Sequence, residues 1–185
     1  MVVHTTTRVE TQGGEEAATL LVVPPAVKEA IAMVESDSPL VAAEGFSKLS
    51  QATFNNPLGK EAAGAIGAVK AIADAMARNI ENGTVQEDGC RALRNVAFRC
   101  AHQQNLDLVR EQGGIVAVLT AMAKHPENEA LQAEGCWALL VFCSNQDANC
   151  AVAKPLLSVV EQALATYPSN SEIKSKCIFL KALLA

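Results

Sequence analysis

The sequence predicts an all-α fold in which about four helical units are stacked in a row. The first observation is a stretch that recurs. LQAEGCWALLVFC, from Leu131 to Cys143, returns as VQEDGCRALRNVA from Val85 to Ala97 and as VAAEGFSKLSQAT from Val41 to Thr53, with a degenerate copy, IKSKCIFLKALL, from Ile173 to Leu184. Its glycines Gly45, Gly89 and Gly135 stand 44 and 46 residues apart, and Cys177 of the last copy stands 41 residues after Cys136. The second observation is an independent set of helix markers: Val27, Val69, Ile115 and Leu157 are spaced by 42, 46 and 42. Self-similarity at a period in the low forties marks stacked helical repeats. Third, the chain is 50% hydrophobic but only 4% aromatic. Ala, Val, Leu, Ile and Cys must therefore fill the core, and small side chains suit closely stacked helices.

In chain order, residues 1–22 read as a polar, flexible tail, with Thr5, Thr6 and Thr7 together and Gly13-Gly14 following. The repeat domain is expected over 23–185. Pro24-Pro25 starts the first helix, because a proline at the first turn sacrifices an N–H that has no partner there. Val27, Ala30, Ile31 and Val34 give it one apolar face. Ser36 to Pro39 ends that helix and starts the next, with Phe46 and Leu49 inward. Asn55-Asn56-Pro57 breaks the chain, and a short helix from about Leu58 to Ala63 leads to Gly64–Gly67. Val69, Ile72, Ala73 and Met76 form the next apolar face, and Asn82-Gly83-Thr84 is a turn. Gln104 to Gln112 is a short helix ended by Gly113-Gly114. Ile115, Val118, Leu119 and Met122 follow as an apolar face, and His125-Pro126 stops it. Asn128 or Glu127 can cap the helix that carries the central stretch. Ser144 to Asn149 reads as a polar loop, and Pro155 replaces the glycine at the next turn. Leu157, Val160 and Leu164 are expected inward, Tyr167-Pro168 stands where His125-Pro126 stood, and Ser171 is expected to cap the last helix.

Charge and composition exclude several functions. The net charge of −5 offers no basic stripe for nucleic acid and disfavours anionic membrane surfaces. No apolar run reaches the ~18 residues of a membrane span. The beginning of the chain has neither the charged-then-apolar order of a signal peptide nor the acid-poor composition of a transit peptide. The six cysteines include no CxxC pair. Cys90, Cys136 and Cys177 read as one repeat position and as buried free thiols, which places the chain in a reducing compartment, cytoplasm or nucleus.

The unit from Asn105 to Cys143 is a short helix, a Gly-Gly-Ile turn, an apolar helix, a turn, and a third helix reading GCWALL. It resembles an armadillo repeat. Gly59 to Phe98 matches more loosely, Pro25 to Thr53 lacks the first short helix, and Pro155 to Ala185 is the most degenerate unit. HEAT repeats are the related alternative; the Gly-Gly-Ile turn and the three-helix rhythm favour armadillo. The resemblance implies a right-handed superhelix whose third helices line a concave face, and extended partner segments lie across that face.

Residues three, four and seven apart share a helix face. Glu134, Trp137 and Val141 therefore point one way, and their equivalents are Asp88, Arg91 and Asn95, then Glu44, Ser47 and Gln51. These nine are the expected partner-binding residues. In armadillo proteins that carry nuclear-localisation peptides, a Trp with an Asn four residues later recurs at the last two positions. Here Trp137 is followed by Val141, and Asn95 is preceded by Arg91, which argues against an import receptor. Glu44, Asp88 and Glu134 form a column with two readings: an acidic ladder for a basic partner, or first-turn carboxylates that favour the helix dipole.

His4, His102 and His125 are scattered, and Cys100 with His102 does not make a zinc site. No catalytic, nucleotide or metal fingerprint can be placed, and no cofactor is expected. The expectation is a non-enzymatic module that binds a protein or peptide. The alternative is a structural piece that self-associates or extends a longer assembly. The last helix, with Ile178, Phe179, Leu180, Leu183 and Leu184, is expected to present an apolar end that a second copy, a further repeat or the tail covers.

Overall fold

The computed structural model describes residues 21–98 and 104–185, and every regular element among them is helical. Residues 1–20, most of the expected tail, lie outside the described residues, as do 99–103, which hold Cys100 and His102. The elements are α1 (Pro25–Val34), α2 (Pro39–Thr53), α3 (Pro57–Ala65), α4 (Ala68–Arg78), α5 (Gly83–Ala97), α6 (Gln104–Glu111), α7 (Gly114–Lys124), α8 (Glu129–Cys143), α9 (Asp147–Ala153), a 3-10 turn (Lys154–Leu156), α10 (Leu157–Thr166) and α11 (Ser171–Leu184).

The helices fall into three rows. The long helices α2, α5, α8 and α11 pack each on the next; so do α1, α4, α7 and α10, and so do the short α3, α6 and α9. One continuous core runs through the rows, from Val27 to Leu184. Identical devices set successive long helices on their neighbours. Gln86 is fully buried and its Nε2 donates to Met76 O at 2.9 Å and Asn79 O at 2.8 Å; Gln132 Nε2 donates to Met122 O at 2.9 Å and His125 O at 3.0 Å. Each pair of donated bonds satisfies carbonyls at the end of the preceding helix, which have no helical partner. Gly89 and Gly135 let α4 and α7 come close: a Cβ there would stand 2.6 Å from Met76 Cγ or from Met122 Sδ. Gly67 and Gly113, at φ 85° and 80°, make the left-handed turns between short and middle helices.

Asparagines start the later long helices. Asn82 Oδ1 accepts from the N–H of Val85 at 3.2 Å, Asn128 from Leu131 at 3.0 Å and Asn170 from Ile173 at 2.9 Å. Asn170, not the expected Ser171, is thus the cap of α11; Ser171 is already the first helical residue. A second correction concerns Ser144 to Asn149. The polar run is not a loop throughout, because α9 begins at Asp147. Seven residues are too few to display a helical period. Asn149, which reads as a loop residue, is buried and donates to Leu106 O at 3.0 Å and Phe142 O at 2.8 Å. Of the expected inward set on α10, Val160 is buried while Leu157 and Leu164 are half-buried. No helix among the described residues is long and apolar enough to cross a membrane.

Candidate binding face

Counting from the caps Ser38, Asn82, Asn128 and Asn170 puts the four long helices in one register. The sixth residues are Glu44, Asp88, Glu134 and Lys176; the ninth are Ser47, Arg91, Trp137 and Phe179; the thirteenth are Gln51, Asn95, Val141 and Leu183. All nine expected residues therefore lie in three columns. The fourth rung of those columns, Phe179 and Leu183, was missed by sequence reasoning, because the last copy was aligned on its cysteine. In the cap register Cys177 stands at the glycine position, one residue before that of Cys90 and Cys136. The signal that finds it is Asn170, the counterpart of Asn82 and Asn128.

The columns interlock: a ninth residue meets the sixth residue of the next helix. Arg91 Nε donates to Glu134 Oε1 at 3.0 Å, and Lys176 Nζ lies 4.9 Å from the centre of the Trp137 ring. Arg91 also bonds Asp88 at 2.8 Å and Glu87 at 2.7 Å. Arg94 joins this network although the sequence did not single it out. Its Nη2 is 3.0 Å from Glu134 Oε2, an ion pair without hydrogen-bond geometry, and its guanidinium carbon is 3.8 Å from the Trp137 ring centre. Lys176 pairs in turn with Glu172. Burial pushes the Asp88 carboxyl above its usual value, against the pull of Arg91. Burial likewise lowers Arg94, partly offset by Glu134.

These contacts narrow both readings of the acidic column and leave Glu44, its side chain 59% exposed, as the open member. Glu44, Asp88 and Glu134 are sixth residues, in the second helical turn, so the helix end is too far for the dipole effect. Nor are they a free ladder: Lys48 lies 3.4 Å from Glu44, Arg91 holds Asp88, Arg91 and Arg94 hold Glu134, and the fourth rung is a lysine. Trp137 is 37% exposed, but two of the protein's own cations already lie over its ring.

The open part of the face is elsewhere. Between α2 and α5 lies a cavity of about 380 Å³, lined by Ser47, Gln51, Asp88, Arg91 and Asn95 together with Ser50, Phe46 and Phe54. It is open because Ser47 is small where the next two rungs carry Arg91 and Trp137. Phe46 is fully buried beside it, and Phe54 is 67% exposed. Gln51 Nε2 reaches only Ser47 Oγ, at 3.4 Å, and the carboxamide of Asn95 makes no hydrogen bond among the described residues. The cavity thus offers a donor and an acceptor on one amide, beside an exposed aromatic ring. Glu134, Trp137 and Val141 lie outside it. No group of His, Cys, Asp and Glu suited to a metal occurs among the described residues, and the described cysteines are free thiols, all buried except the half-buried Cys150.

Comparison of the chain with protein-family models, with curated proteins and with solved structures found no match.

Proposed function

We propose that the chain is a non-catalytic binding module of the armadillo type, about four repeats in a right-handed superhelix. It holds an extended segment of a partner protein across α2, α5, α8 and α11. The observation that carries this reading is the cavity between α2 and α5, lined by five of the nine residues on equivalent helix positions. The amide of Asn95, without a hydrogen bond among the described residues, suits the N–H and C=O of an extended backbone, and Phe54 offers apolar contact to a side chain. Glu44, with its side chain 59% exposed, favours basic residues beside the contact through the association rate. The buried thiols fit a reducing compartment, in the cytoplasm or nucleus.

A second reading, self-association or extension of a longer assembly, is favoured by Ile178. The eighth residues Phe46, Cys90 and Cys136 are fully buried, whereas Ile178 is 54% exposed. Lys174 and Lys181 dilute the apolar character of α11 around it, so the first reading is preferred.

The test is selection of peptides from a random display library on the folded chain. Their affinities are then measured for the wild type and for Asn95→Ala. The expected result is at least about tenfold weaker binding to the variant, roughly 1.4 kcal/mol, with an unchanged melting midpoint. Peptides that bind both proteins equally, or a library that yields none, would overturn it.

A further inference from the structure

We propose that Cys136 and Cys177 form an oxidation site, at which an oxidant of the peroxide class joins them in a disulfide that staples α11 to α8. Their sulfurs are 3.4 Å apart and both residues are fully buried. A disulfide bond is about 2.05 Å long, so the sulfurs have about 1.4 Å to close.

The cap register explains why the pair exists at this seam. The eighth residues of the long helices are Phe46, Cys90, Cys136 and Ile178; the seventh are Gly45, Gly89, Gly135 and Cys177. Cys136 faces the seventh residue of the next helix. For Cys90 the residue at that position is Gly135, which has no side chain. Only α11 carries a side chain at the seventh position, and that side chain is a thiol.

The surroundings divide the chemistry between the two sulfurs. The hydrogen bond between the two sulfurs, together with Lys176 and Lys181, lowers the Cys177 thiol, despite its burial. The same bond and burial push the Cys136 thiol up. The attack is placed on Cys177, whose thiolate Lys176 and Lys181 both favour. With hydrogen peroxide, its sulfur bonds one peroxide oxygen and the O–O bond breaks. Cys177 becomes a sulfenic acid, and the departing hydroxide takes a proton to become water. The Cys136 sulfur then attacks the Cys177 sulfur, the S–O bond breaks, and the hydroxyl leaves with the Cys136 proton as a second water. Two thiols are oxidised and one peroxide is reduced. Entry requires opening of α11 alone, which packs on α8, α9 and α10.

Trp137 and Lys176 are the chain neighbours of the two cysteines. The disulfide therefore fixes Lys176 over the Trp137 ring, and with it the rung that carries Phe179 and Leu183. Oxidation would couple that rung rigidly to the other three.

The test treats the full chain with hydrogen peroxide, blocks remaining thiols with iodoacetamide and maps the peptides. The expected result is a Cys136–Cys177 linked peptide, with the oxidised protein lighter by two hydrogens. Its melting midpoint should be about 5 °C or more above that of the reduced protein, and fluorescence of Trp137, the sole tryptophan, should be quenched. Cys177→Gly restores the residue type of the other three helices; it and Cys136→Ser should abolish the link and the thermal shift. Both cysteines alkylated after oxidation, a link from either to another cysteine, or a link between two chains overturns the proposal.

Discussion

The guanidinium of Arg94, on α5, lies over the indole of Trp137, on α8, with its central carbon 3.8 Å from the ring centre. Because Glu134 also pairs with Arg94, ring, cation and carboxylate form one unit across two helices. Trp137→Ala removes a half-buried ring and leaves Arg94 and Lys176 without their aromatic contact. The expected loss is about 2 kcal/mol, between the cost of a surface change and that of a core truncation. Urea unfolding followed by far-UV circular dichroism measures it; a loss under about 0.5 kcal/mol would show that the ring is not held by its neighbours.

Gln86 and Gln132 make the same two backbone bonds 46 residues apart. Replacing either by Ala removes the side-chain donor from a core carbonyl, Met76 O or Met122 O, and one of the two donors to Asn79 O or His125 O, which keep the N–H of Asn82 or Asn128. Each substitution should cost about 2–3 kcal/mol, and the two costs should agree within about 1 kcal/mol. Unequal values would mean that the two devices, alike in geometry, sit in units of different rigidity.

The long-helix glycines are not equivalent under substitution. Alanine improves helix propensity by about 1 kcal/mol. At Gly135 the new Cβ meets Met122, a flexible side chain that can shift. At Gly45 it would lie 2.6 Å from Val34 N, which is backbone. Gly45→Ala should therefore destabilise by about 2 kcal/mol or more while Gly135→Ala stays within about 1 kcal/mol of the wild type. Melting midpoints that rank the two the other way would show that α1 yields more readily than Met122.

Much of this organisation was legible in the sequence. The apolar positions on α4 and α7, the recurrent glycines and the proline starts announce themselves by periodicity and by backbone chemistry that few other residues can supply. α9 was hidden because it has seven residues and buries an asparagine. The register of α11 was hidden because a cysteine stands where three helices carry glycine, and the eye aligns cysteine with cysteine. Arg94 was hidden because its partners, Glu134 and Trp137, are on another helix; no spacing rule within one helix connects them. The cavity was hidden for a related reason: a gap is made by the absence of a side chain at Ser47 relative to its neighbours in space.

Asp88 gives a pH signature. Its carboxyl is raised from the usual 3.8, chiefly by burial. A group with a raised folded-state value contributes stability that is present below its unfolded value and lost as pH rises through the folded one. The neutral carboxamide of an Asp88→Asn variant mimics the protonated acid and lacks that loss. The variant should therefore gain stability relative to the wild type as pH rises from about 3 to 6 across the carboxylate range. Urea midpoints at both ends of that range give the answer; a relative loss over the same range would show that the Arg91 pair outweighs burial.

The sharpest test of where binding is centred uses Ser47. In the two rungs after it, the ninth residue fills the space against the next helix: Arg91 reaches Glu134 at 3.0 Å, and Trp137 meets Lys176 at 4.9 Å. Ser47 leaves that space empty, and the cavity between α2 and α5 is the result. Ser47→Trp places an indole on an exposed helix position beside about 380 Å³ of open volume. Filling it does not overpack the core, because Phe46, which lines it, and Leu49 are already fully buried. The melting midpoint should stay level or rise slightly, equivalent to no more than about 1 kcal/mol. Affinity for library-selected peptides should fall by about tenfold or more, because the indole takes the place of the ligand beside Asn95 and Gln51. Trp137→Ala, measured with the same peptides, should change affinity by less than about threefold, since its ring is engaged by Arg94 and Lys176. The reverse pattern, with binding lost at Trp137 and kept at Ser47, would move the centre of recognition to α8 and α11.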